Sequence, residues 1–423
     1  MLSAAKPRRL TFRTTCVLTL AIWLARISVG QACELCRDAY FTSMESAPKA
    51  SALHPEARVV AYELDISART LSPAGKPVEV LTINGSSPGP VLRFREGDVA
   101  RITVRNLLGR EETSVHWHGM LVPNLEDGVP ALTTPSIPPG GSRVYEFLVR
   151  QHGTYWYHSH TAHQEQRGVH GAIVIEPRVP KTKPDHDETI VLSDWTDEAP
   201  AEVQRTLQRG GDWYAVQKGT AQSILGAWQA GHLGEYFDRE KTLVPPMDAG
   251  DVAYDAFLMN GRRRLELPGK PGETIRVRLI NAGAATYFYL DTAAGALRVV
   301  AADGQDVKPF ETPRLLIGPA ECYDLLVTVP PQGRWELRAT AQDGTGFAGA
   351  WFGDGEPHPS PGPPPPERYG MTASSAPSSI SSTLNQAPGR SLAPCRPTLP
   401  SGRPSRIPSR RATPNSRSAS RAT

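Results

Sequence analysis

Histidine is scarce in this chain, 11 among 423 residues, yet four of the 11 form two His-x-His pairs: His116 and His118 around Trp117, and His158 and His160 around Ser159. Random placement would give only about 0.3 such pairs in the whole chain. In a β-strand, residues i and i+2 point to the same face, so each pair aims two imidazoles one way. Two neighbouring strands would then gather four. Imidazole is the commonest metal ligand and suits zinc, copper, iron and nickel, so the chemistry on offer is metal binding and the reactivity the metal brings. The plainer alternative is a polar strand face whose histidines meet only water.

Such pairs need strands, and the flanking sequence supplies them. From Val59 onward it breaks into short strand-like runs separated by Gly and Pro, such as VVAYELDIS, VARITVRN, RVYEFLVR and GAIVIEP. A second set follows from Glu188, with ETIVLSD, ETIRVRLIN, LRVVAADG, YDLLVTV and RWELRAT. The two sets are copies: GDVARITVRN (Gly97–Asn106) matches GETIRVRLIN (Gly272–Asn281), and HGTYWYHSH matches QGRWELRAT. Preserved order with a slowly drifting offset is what duplication leaves. The pattern predicts an all-β protein of two tandem antiparallel Greek-key β-sandwiches, over 55–178 and 186–352. Within the second, about 198–247 reads as a small helical insertion covering a sheet edge, with His232 facing solvent. The repeat is also an internal control. With Gly153 set on Gly333, His158 and His160 fall on Arg338 and Thr340, so the strand pattern is kept where the imidazoles are not. Histidine is an added feature of the first copy.

Charge and cysteine narrow the function classes. The net charge is +3, but residues 33–367 hold 32 basic against 43 acidic residues, a net of −11. An acidic body excludes a nucleic-acid reader, whose footprint is a basic face, and favours attraction of cations. KPRRLTFR followed by the apolar TCVLTLAIWLA and the small residues of GQA reads as a cleavable export signal over 1–32, too short for a membrane span. The protein is therefore expected to be periplasmic or secreted, with no transmembrane segment after signal removal. Cys33 and Cys36 are spaced for a disulfide in an oxidising compartment, and Cys322 reads as a small buried residue. From 353 the chain reads as a proline-rich linker. Residues 371–423 are nearly all Ser, Arg, Pro, Ala and Thr with no aromatic, the composition of a disordered tail or of a shifted reading frame.

Several stretches carry a resemblance: VHWHGMLVPNLEDGVP, GTYWYHSHTAHQEQRGVHGAIVIEP, VLSDWTDEAP and ADGQDVKPFETPRLLIGPAECYDLLV. Over roughly 55–365 the chain resembles the multicopper oxidases, in particular their copper-resistance (protein A type) branch. That resemblance implies cupredoxin-like domains, three in the family, which assemble a type 1 copper and a trinuclear cluster. The cluster takes four His-x-His pairs, two from the first domain and two from the last. By position, His116 is then a ligand of the type 2 copper, and His118, His158 and His160 bind the type 3 pair. Asp127 matches the acidic residue that helps deliver protons to reduced oxygen; read from the residues alone it is equally a turn residue before Gly128. Trp117 and Trp156 are expected in the sandwich core, and His152, His163 and His170 on surface or loops.

The resemblance implies an oxidoreductase that uses O2 as acceptor, with cuprous ion or a small phenol as electron donor. The family's third-domain motifs, H-x-x-H-x-H and H-C-H-x-x-x-H, do not occur in these 423 residues, so the type 1 site is expected to be absent from this chain. Three readings follow: a truncated copper oxidase of copper resistance, a non-catalytic copper-sequestering protein, or a half-enzyme completed by a partner chain.

Overall fold

Alternation in the sequence becomes alternation in space. In VARITVRN, Ile102, Val104 and Asn106 are buried while Arg101, Thr103 and Arg105 stand half-exposed, as a strand packed on one face requires. The computed structural model describes residues 48–179, 183–211, 213–219, 221, 223–234, 236–237 and 252–364. The expected export signal, the Cys33–Cys36 pair and the tail from 371 lie outside them.

Eight strands make the first sandwich: β1 (Val59–Leu71), β2 (Val78–Ile83), β3 (Leu92–Arg95), β4 (Val99–Asn106), β5 (His116–His118), β6 (Ser142–Leu148), β7 (Gly153–His158) and β8 (His170–Glu176). They form two sheets, in the orders β2-β1-β4-β6 and β3-β8-β7-β5. The inner faces bury Leu64, Phe94, Ile102, Trp117, Phe147 and Tyr157 in one cluster, each such side chain contributing ~2 kcal/mol or more by leaving water.

The second sandwich uses β9 (His186–Trp195), β10 (Ala256–Met259), β11 (Arg264–Glu266), β12 (Thr274–Asn281), β13 (Phe288–Thr292), β14 (Leu297–Ala302), β15 (Gln305–Thr312), β16 (Arg314–Ile317), β17 (Cys322–Thr328), β18 (Arg334–Ala341), β19 (Phe347–Phe352) and β20 (Pro357–His358). Its sheets run β10-β9-β12-β17-β14-β15 and β11-β19-β18-β13-β16, with β20 on β18. Strand for strand this repeats the first order, with β14, β15 and β16 added at the edges. The copies seen in the sequence are copies in topology.

The all-β expectation holds, but the sheets are mixed rather than purely antiparallel. β1 pairs parallel with β4, β3 with β8, β9 with β12 and β11 with β19. Each of these four pairs is separated in sequence by at least one strand of the opposite sheet, which supplies the long crossover that parallel pairing needs. Alternation does not report strand direction, so the sequence is silent on this point.

Two further differences concern connections. The insertion contains helices at Pro200–Arg209, Trp213–Gln217 and Ile224–Ala230, with Ser223 capping the last by accepting from the Gly226 amide; His232 is half-buried rather than solvent-facing. The proline-rich segment does not leave the fold at 353. Pro357–His358 pairs with β18, the buried Ser360 amide donates to Glu336, and Arg314 donates to the Gly362 carbonyl. Prolines are tolerated there because β20 lies at a sheet edge.

The sandwiches meet along β7. Its six residues are all buried, so alternation vanishes where a sheet is covered on both faces. Arg278 on β12, 2% exposed, is the hub of this seam: it pairs with Asp187, Asp324 and, across the seam, Glu176, and its guanidinium donates to Thr154 on β7. Gly153 and Gly304 touch backbone to backbone there; a Cβ on Gly153 would lie 2.2 Å from the Gly304 oxygen.

Candidate metal centre

β5 is only three residues long and pairs antiparallel with β7, setting His116 opposite His158 and His118 opposite Trp156. The period of two then sorts the side chains. Trp117 points inward, fully buried against Tyr145 and Phe147, while His116 and His118 point outward. On β7, Tyr155 and Tyr157 join the core cluster, and Trp156 and His158 face the same way as the imidazoles. His158 is the last residue of its strand. His160 lies just beyond, its amide donating to Ser114 Oγ.

The four rings converge. His116 lies 5.6 Å from His118, 5.5 Å from His158 and 5.7 Å from His160, centre to centre. One ligand nitrogen from each of His116, His118 and His158 falls within 4.8 Å of the others. His160 sits at the exposed rim, 5.8 Å from His158 between ring centres.

His116 and His158 are oriented by what the imidazole Nδ1 meets. That of His116 donates to the main-chain oxygen of Asp127 at 2.7 Å; the Asp127 carboxylate is farther, at 3.5 Å. The approach depends on Gly128, at φ +84°, where a Cβ would strike the Val115 carbonyl at 1.7 Å. Asp127 is thus a turn residue, closing a 3-10 turn over Asn124–Glu126, and also a carboxylate beside the imidazoles. His158 Nδ1 meets the Glu165 carboxylate at 2.7 Å and the Ser159 carbonyl at 3.0 Å. His118 differs: its Nδ1 lies 3.2 Å from His158 Nε2.

Burial holds the His116 imidazolium below its ordinary range, partly offset by the Asp127 carbonyl. Burial, with the neighbouring His158 and His116, pushes His118 down to about 4. Both rings are neutral near pH 7, the state in which imidazole binds a metal. An all-imidazole donor set with nitrogens this close fits a borderline metal such as copper better than the oxygen-seeking Mg or Ca.

The structure also corrects several sequence expectations. Trp156 is not in the sandwich core. It lies on the outer face with Val191, Ile280 and Cys322 in a small seam cluster, stacked on His158 (4.2 Å, 16°) and on His118 (5.0 Å, 26°). His170 is neither surface nor loop: it is a buried β8 residue opposite His158 in register. With Glu165 and Asp194 it lines a cavity of about 240 Å³ at the seam. His152 is half-exposed between Glu96 and Asp306, His163 is half-buried, and Cys322 is buried as expected. Glu165 was not singled out by sequence reasoning. It sits in a turn, five residues past His160, and no strand period marks a residue that folds back on its own strand. Burial raises its carboxyl pKa, but the hydrogen bond and charge of His158 more than offset that and leave it below the usual range.

Comparison with known proteins completes the description. The family described as multicopper oxidase matches residues 65–180 and again 186–351. The chain is 41% identical over 298 residues to copper resistance protein A of Escherichia coli, covering 68% of this chain and 49% of that protein. It is 40% identical to a copper resistance protein A homolog of Pseudomonas syringae pv. tomato over 68% of this chain and 50% of that one. A crystal structure of a laccase from Botrytis aclada superposes with a TM-score of 0.56 at 26% identity, over 77% of this chain and 57% of that chain. The chain spans about half the length of the curated relatives it matches.

Proposed function

Since the chain belongs to the multicopper oxidase family, we propose that it supplies the first half of the oxygen-reducing copper cluster of an exported copper-resistance oxidase. The observation that carries this is the three imidazole nitrogens held within 4.8 Å at the end of β5 and β7. In this reading His116 serves the type 2 position and His118, His158 and His160 the type 3 positions. Copper held there would supply the one-electron chemistry for reducing O2 to two waters with four electrons and four protons. This chain's own groups bind and orient. Asp127 and Glu165 are the acidic side chains in contact range of the ligands, and Asp127 is the one we assign to proton delivery. Trp156 keeps water from one side of the rings. Cuprous ion or a small phenol is the proposed electron donor, and the periplasm the proposed site. Among the described residues no helix is long and apolar enough to cross a membrane.

These 423 residues contain no Cys flanked by His, and a blue copper site needs a thiolate with two imidazoles. Electrons would therefore enter through a type 1 centre on a further domain, which would also bring the other two His-x-His pairs. Without such a domain the same four histidines would hold copper without turnover, the sequestering reading.

Replacing His118 and His158 together by Gln tests the assignment. Copper bound per chain should fall by most of its value, while denaturant unfolding of the copper-free protein should stay close to wild type. Unchanged copper stoichiometry would refute it.

A further inference from the structure

An imidazole that gives one nitrogen to a metal has a second nitrogen, and the partner of that second nitrogen decides which lone pair is offered and in what direction. In this site the two anchored rings are held by different means. For His116 the acceptor is a main-chain oxygen, which no side-chain substitution removes. For His158 the close acceptor is the carboxylate of Glu165.

We propose that Glu165 is the positioning residue of His158: its carboxylate accepts the Nδ1 proton and so presents the Nε2 lone pair to the metal cluster. The inference rests on the copper reading above. The turn that carries Glu165 is built for a fixed placement. The neighbouring Gln164 is 1% exposed. Its Oε1 accepts from Thr113 and Ser159, and its Nε2 donates to the Glu112 carbonyl. The Gly168 amide closes the turn on the Glu165 carbonyl at 3.0 Å, and Val169 closes it on Gln164 at 3.0 Å. Pinned in this way, the Glu165 side chain reaches back to His158 Nδ1 at 2.7 Å.

A rival acceptor exists. The Ser159 carbonyl lies 3.0 Å from the same nitrogen. It is the better aligned of the two with the N–H, but it is neutral and longer, and charge-assisted hydrogen bonds are roughly twice as strong as neutral ones. With the proton on Nδ1, His158 Nε2 is a bare acceptor, directed at His118 Nδ1 3.2 Å away, the direction in which the imidazole nitrogens converge. Trp156 fixes the ring plane; Glu165 fixes which edge of the ring faces the centre.

The test uses the full chain, copper-free and copper-titrated, as wild type, Glu165→Ala and Glu165→Gln. Long-range proton–nitrogen correlation spectra report the tautomer of His158 without any metal. Wild type and Glu165→Gln, whose amide oxygen still accepts, should show the Nδ1-protonated form, and Glu165→Ala a mixture with the Nε2-protonated form. Chelator competition with Cu(II) should show binding about 10–100-fold weaker in Glu165→Ala, the usual loss when a ligand's outer partner is removed, and largely restored in Glu165→Gln. A purely Nδ1-protonated His158 in Glu165→Ala would overturn the proposal, since the Ser159 carbonyl would then suffice. Equal copper weakening in both variants would overturn it too, because charge rather than the accepted hydrogen bond would be operating. Failure of the copper reading looks different: His158→Gln would leave Cu(II) affinity unchanged, which removes the link to the metal whatever the tautomer spectra show.

Discussion

Where β5 meets β7 in the first sandwich, His116 stands opposite His158; where β13 meets β18 in the second, Asp291 stands opposite Arg338. The two places correspond in sheet order, but their polar atoms are settled differently. Asp291 accepts from Arg314 and from Ser360, and Arg338 donates to Glu336, so the second site is closed on itself by ions and by the segment after β19. In the first site the Nδ1 atoms of His116 and His158 find oxygen partners, while His118 Nδ1 meets His158 Nε2, nitrogen against nitrogen. The contrast runs the other way at the seam. With Gly97 set on Gly272, the buried Arg278 falls where the first sandwich has half-exposed Thr103. One copy carries the histidine cluster and the other the ionic lock at the seam beside it. A shared fold therefore places residues without deciding their chemistry, which depends on whether the polar groups are satisfied from within.

The largest effect is expected at the lock. Arg278→Ala would leave Asp187, Asp324 and Glu176 without their common partner, and breaking a buried ion pair from one side costs about 3–5 kcal/mol. Burial already pushes the Asp324 carboxyl up, with Arg278 as the chief counterweight. Denaturant unfolding should show that loss, and a variant as stable as wild type would mean the seam is held by its apolar cluster instead.

A smaller effect separates two tryptophan–imidazole stacks. Trp156 lies on His158 at the seam, and Trp335 lies on His358 at 4.1 Å on the edge of the second sandwich. Trp156→Leu should cost about 2 kcal/mol through lost burial and the cavity left behind, and should also weaken copper binding. Trp335→Leu should cost less and leave copper titration unchanged. If both variants weaken copper equally, the asymmetry between the sandwiches is not where the structure puts it.

A third effect is in pH. His118 is lowered to about 4 in the fold, against about 6.5 in an unfolded chain. Below 6.5 the unfolded state takes a proton that the folded state refuses. The stability from neutral His118 is therefore complete above 6.5 and is lost as pH falls from 6.5 towards 4. His118→Gln should flatten the stability profile of the copper-free protein in that window, as read from denaturation midpoints at each pH. A variant with the wild-type slope would place the titrating group elsewhere.

Much of this was legible beforehand. The strand runs, the duplication and the sharing of a face by His116 and His118 are local or periodic properties, and the period of two carried them into the structure. The resemblance named the family. Less legible were the parallel pairings, since alternation looks the same in either direction. The same period explains the misplacement of Trp156: an aromatic between buried tyrosines reads as core until one sees that residues 156 and 158 share the outer face. Nothing local marked that face as covered, because its cover lies far along the chain; the Thr154–Asp324 hydrogen bond spans 170 residues.

The sequence by itself determined which imidazoles there are, which strands carry them and that two copies of one sandwich follow each other, because side-chain type and period are written residue by residue. Only the tertiary structure decided the rest. The turn returning to β7 brings Glu165 to His158, the 3-10 turn brings the Asp127 carbonyl to His116, and the second sandwich closes over Trp156. Each of these is a contact between segments whose approach is set by packing and backbone clearance, and no spacing along the chain encodes it.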